Sequence, residues 1–186
     1  MMTTDRFSGL RALATGALVT TCLWSHGDRA QAAASTSPAA ACTSAAHKQF
    51  DFWLGDWDVF DTTDSTKVVA RVQVQSILNG CVLLETYSDS DGYEGRSFST
   101  FDSTRNVWHQ SWVTNRGQLL VIEGHFHSGI MELSGVDRAA AGAHDRLTRA
   151  TWQAVDHGVR EIAARSEDNG KSWQPWFDLM FRPHVR

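Results

Sequence analysis

The sequence predicts an all-β domain, a single antiparallel up-and-down barrel of about ten strands. Three observations carry that prediction. Period-two stretches follow one another from about position 56 to the end. Short turn signals such as Asn79-Gly80, Ser128-Gly129 and His157-Gly158 separate them. No long apolar segment with helical spacing intervenes, and consecutive hairpins favour closure, which removes free sheet edges.

The elements follow in order. The eleven residues from Phe50 to Phe60 hold five aromatics and a Gly-x-Trp (Gly55, Trp57). This stretch is expected to plug one end of the barrel and to start the first strand, with Trp57 directed to the core, and a short helical turn is expected over 47–54. Strands are expected at 56–61, 67–78, 81–87, 95–101, 107–114, 118–126, 130–136, 146–155, 159–165 and 172–182. Alternation is cleanest in 67–78, where Val68, Ala70, Val72 and Val74 share one face and Arg71, Gln73 and Gln75 the other. Barrels of eight to ten strands are wide enough to hold one small ligand.

Before the barrel the chain reads differently. Arg6 and Arg11, an apolar run over 12–24 and small residues at Ala30-Gln31-Ala32 read as a cleaved signal peptide over 1–32. That run is too short to span a membrane as a mature helix. A lipid anchor at Cys22 is the alternative, although Thr21 fits poorly before a lipidated cysteine. Residues 33–46 read as a flexible Ala/Ser-rich tether, and 47–186 as the barrel domain. With Cys22 removed, Cys42 and Cys81 remain, either as one disulfide suited to a secreted or periplasmic protein or as two unpaired thiols.

A formal charge of -4 without a Lys/Arg cluster argues against a nucleic-acid partner. Contact with a membrane is expected only through the signal peptide or the Cys22 anchor. Of eight tryptophans, seven lie after position 50, which suits a small core or an aromatic-walled pocket.

The block Phe-Asp-Phe-Trp-Leu-Gly-Asp-Trp-Asp-Val from Phe50 resembles the opening signature of exported bacterial proteins of unknown function regarded as lipocalin-like, or calycin-type. The likeness continues through Leu78 to Glu85, Glu94 to Phe98, Trp108 to Val113 and Ser166 to Trp173. It implies a barrel with a central cavity and brings no established reaction. A second likeness, to lipocalins proper, implies that Arg182 near the last strand packs over Trp57. Nitrobindin-like haem barrels also open with Trp and Gly, but their denser glycine pattern is missing here. No cofactor is expected.

Candidate chemistry centres on two stretches. Glu123, His125 and His127 alternate on one strand face, with Glu132 beyond them. The spacing is similar to the first metal motif of cupins, but its flanks fail, so no metal is expected. Trp108, Gln110 and Trp112 share a face of their strand. With a two-residue turn at Arg116-Gly117, Gln110 faces Glu123 and Trp108 faces His125. An aromatic-walled site then carries Glu123 and His125 as a proton-transfer pair, with Gln110 orienting the substrate. With a three-residue turn, Leu120 and Ile122 face inward instead and the site becomes packed core. Glu85, Arg96, Arg149 and Arg160 sit mid-strand, and an inward Glu85–Arg96 pair is one arrangement for the first two. The Ser166-x-Asp168-x-Gly170-x-Ser172-Trp173 match to an Asp-box reads as a structural hairpin.

The ligand-binding set is therefore Trp108, Gln110, Trp112, Glu85, Arg96, Glu123 and His125. The leading expectation is an exported barrel binding a small, largely apolar molecule. The alternative is an acid/base enzyme, an isomerase, cyclase or lyase, working in the barrel interior.

Overall fold

A computed structural model describes residues 42–138 and 144–185. The proposed signal peptide, the Cys22 anchor and most of the tether lie outside the described residues. Cys42 to Ala46, the tether's last five positions, are part of the described structure, and a 3-10 turn begins at Ala45.

Ten antiparallel strands close into one barrel, each hydrogen-bonded to its sequence neighbours and the last to the first. They are β1 (Gly55–Asp61), β2 (Asp64–Ile77), β3 (Val82–Asp89), β4 (Glu94–Asp102) and β5 (Val107–Thr114). β6 (Leu119–His127), β7 (Ile130–Asp137), β8 (Arg146–Val155), β9 (Gly158–Ser166) and β10 (Gln174–Pro183) complete it. The up-and-down order predicted from the hairpin signals is the observed one. Among the described residues, no helix is long and apolar enough to cross a membrane.

The barrel has two unlike ends. Ala45–Lys48 and Asp51–Trp53 form 3-10 turns that cork the end where β1 begins. Phe50 and Trp53 are fully buried there, stacked at 5.1 Å, and Phe50 meets Trp108 and Trp152 edge-on. Trp57, two residues further along β1, covers Gly55 and donates through Nε1 to the Trp53 carbonyl at 3.0 Å. A Cys42–Cys81 disulfide fastens the cork's leading edge to the start of β3. Of the two readings open for these cysteines, the paired one is observed.

Arg182 departs from the expectation. It pairs across from Asp58 on the outer face, where its guanidinium lies over Phe60 and donates to the Ser65 carbonyl at 3.1 Å. Strand parity explains this, because Trp57 stands opposite Pro183 rather than Arg182.

Candidate functional site

Register decides what faces inward. Thr114 N–H donates to the Gln118 carbonyl at 3.2 Å, which leaves a three-residue hairpin loop, Asn115-Arg116-Gly117, with Gly117 at φ +73° and its amide donating to the Thr114 carbonyl at 3.0 Å. A turn followed by one left-handed residue is the usual build of a three-residue hairpin loop. Gln110 therefore pairs with Ile122, Trp112 with Leu120 and His109 with Glu123.

Glu123 and His125 are thus on the outside, which removes them as an interior proton-transfer pair. Glu123 receives both guanidinium nitrogens of Arg105 at 2.8 and 2.9 Å, and His109 Nδ1 lies 2.9 Å from its Oε1. Arg105 first, then His109, hold its carboxyl down at about 2. His125 is exposed opposite Glu132. Among the described residues, no three His, Cys, Asp or Glu side chains converge to hold a metal.

The inward face is not the packed core that a three-residue turn suggested. A cavity of about 280 Å³ lies within the barrel. Its walls are Trp112, Leu120, Ile122, Ala150, Trp152 and Ala163, with Phe177, Leu179 and Phe181 from β10. Tyr87, Tyr93 and Trp176 stand toward the end away from the cork. There Arg116 lies over Tyr93 and Arg165 over Trp176. Trp176 reaches the cavity because β10 carries an irregularity between Pro175 and Phe177, and such an extra residue re-aims a side chain. The space survives because β8 and β9 contribute Ala150 and Ala163 where larger residues would fill it.

Polar groups interrupt this apolar lining. Glu85 is 7 % exposed, and Ser97 Oγ donates to its Oε2 at 2.8 Å. Burial pushes its carboxyl up to about 7, against the weaker opposing effect of Ser97. Glu161, from β9, also lines the cavity. Burial raises its carboxyl well above the ordinary value, the charge of Glu85 adds to that, and the Trp152 indole works against it. Gln110, buried, donates through Nε2 to Ser99 Oγ at 3.0 Å. Thr148 is buried and its Oγ1 has no hydrogen-bond partner.

Of the residues singled out from sequence, Glu85, Gln110 and Trp112 meet at the cavity. Trp108 does not. It lies in the cork, packed on Phe50 with Nε1 donating to Gln49 Oε1 at 3.1 Å. Arg96 points out and bonds the Gly95 carbonyl at 2.8 Å, since Glu85 pairs with Ser97 and Thr86 with Arg96. The remaining mid-strand charges face out as well, with Arg149 over Trp173 and Arg160 on Asp178 at 2.5 Å. The Asp-box residues form the anticipated hairpin, Asp168 accepting from Ser172 N and Oγ at 2.8 and 2.6 Å.

Glu161 is the member that sequence reasoning missed. The signal was there in parity, because Val159, Glu161 and Ala163 alternate with exposed Arg160 and put a carboxylate on an otherwise apolar stripe. Neither a family model nor a curated protein matches the chain.

Proposed function

We propose that this protein binds a small, largely apolar molecule inside the barrel, and that it is exported, in keeping with its disulfide and its resemblance to exported lipocalin-like proteins. One observation carries the binding reading: an aromatic and aliphatic cavity, corked at one end, sits where a barrel of this size has room for a ligand. Ligand pockets run upward from about 300 Å³, so 280 Å³ suits a compact guest, such as one ring system with a short tail.

Titration with prodan, an uncharged naphthalene dye, tests the reading. Saturable, blue-shifted emission with one site per chain is expected, and the signal should vanish in Ala150→Phe, which fills the space. A linear, unsaturable response in the unmodified protein overturns it.

Acid/base catalysis is the second reading, and a different pair now supports it. Glu85, held near 7, sits across an apolar space from Glu161, and carboxyls displaced toward neutrality are suited to proton transfer. Binding ranks first because the lining is mostly aromatic and aliphatic, which the binding reading uses directly.

A further inference from the structure

The cavity holds two carboxyl groups and no base. None of the described residues lining it is a lysine, arginine or histidine. Glu85 has one hydrogen-bond partner, the neutral Ser97 hydroxyl. A carboxyl taken out of water without a counter-charge stays neutral, so its charged form is populated only where something else supplies the positive charge.

A second feature points the same way independently. Thr148 Oγ1 is unpartnered, and the residue is 1 % exposed on the cavity wall. An ammonium has three N–H donors and accepts nothing. The two carboxyls are complementary acceptors for it, and Thr148, four residues along β8 from the Glu161 partner Trp152, offers a further hydroxyl oxygen toward the end away from the cork. The walls add attraction of another kind, since the rings of Trp112 and Tyr87 favour a cation resting against them, whereas Tyr93 and Trp176 already carry Arg116 and Arg165.

Other guests fit worse. An anion would meet two like charges. A fully apolar guest would leave Thr148 without a partner and would make no use of the two carboxyls. A divalent cation seeks six or so oxygen ligands and would find an apolar surround.

Resting on the binding reading above, we infer that the cavity takes a small monoamine. Its protonated nitrogen lies between Glu85 and Glu161, and its ring or chain lies against Trp112, Trp152 and Phe177. Binding is then pH-dependent. The groups facing Glu85 are Ser97 from β4, Glu161 from β9, Tyr87 from its own strand and Tyr93 from the β3–β4 turn. At the end away from the cork, Arg165 stands opposite Thr148 and shares Asp137 with Arg146 at 3.1 Å each, while Arg116 is stacked on Tyr93. Ionisation of Glu85 should strengthen amine binding as pH rises from 6 to 8, while the amine itself stays protonated.

The test compares 2-phenylethylamine with its uncharged isostere 2-phenylethanol, each displacing prodan at pH 6 and pH 8. At pH 8 the amine should bind about tenfold tighter or more, a difference of one decade in Kd. That ratio should shrink at pH 6 and fall toward one in Glu85→Gln. Equal or weaker binding of the amine at pH 8, with prodan still saturable, overturns this inference and leaves the cavity reading standing. Absence of saturable binding by all three compounds overturns both. If Glu85→Gln fails to fold, the pH series on the unmodified protein decides alone.

Discussion

A methyl group built on Gly95 would stand 2.1 Å from Cη2 of Trp112, because the indole lies across the glycine on the neighbouring strand. Trp112 also meets Tyr87 edge-on at 5.9 Å, so the ring is held between a bare stretch of backbone and a phenol. The wall of the cavity at this point depends on a side chain that is absent.

Gly95→Ala should therefore displace Trp112. Overpacking of this kind costs about 1–3 kcal/mol. Denaturant unfolding should show the loss, and near-ultraviolet circular dichroism should show the altered indole environment. An unchanged spectrum together with unchanged stability contradicts the placement of the ring.

Glu85 gives a pH dependence of definite sign. Its folded value, about 7, lies above the unfolded value of 4.5, so between these the native state holds the proton more firmly. The stabilisation is complete below 4.5 and is lost as pH rises through 7, and Glu161 acts in the same direction. The ligand-free protein should lose about 3 kcal/mol from this group between pH 4.5 and pH 7.5. The carboxylates held low, such as Asp58, Asp102 and Asp178, act in the opposite sense at lower pH. Urea midpoints at pH 5, 6, 7 and 8 read the trend, and Glu85→Gln should flatten it.

Opening the Cys42–Cys81 bond should matter to the cork first. Its 39-residue separation places the unfolded-state contribution at about 4 kcal/mol. Cys42→Ser with Cys81→Ser should lower the denaturant midpoint by a corresponding amount while the far-ultraviolet spectrum keeps its β-sheet form. Equal midpoints with and without reductant would sink the estimate.

Glu123 should be dispensable for any event inside the barrel. Glu123→Gln weakens a half-exposed ion pair with Arg105, and a solvent-screened surface pair of this kind adds little to stability. Prodan titration should give the same Kd as the unmodified protein. A tenfold loss would require the β5–β6 register to differ from the one described.

The fold was legible because its signals are local. Turn dipeptides, alternation and the Phe50–Trp57 block each act within a few residues, and the strand order follows from the hairpins they make. The site was less legible because it depends on register. One residue in the loop ending at Gly117 sends Glu123 outward, and nothing near Glu123 or His125 encodes that choice. The same parity, applied to β9, makes Glu161 readable once the inward face of that strand is known. Trp108 and Trp112 share a face but differ in depth, and only the position of Phe50 in the cork shows which of them is left for the cavity.

A tube stopped at one end is a blind sac, so on the proposed binding function a guest would have to leave by the route it came. Side chains toward that end, Tyr93 and Trp176 foremost, would then impede arrival and departure alike, whereas those lower down, Glu85 and Ile122 among them, would act mainly on the seated molecule. Residence time and equilibrium affinity would thereby be set by different residues, and trimming the rim should speed exchange in both directions while leaving their ratio nearly intact.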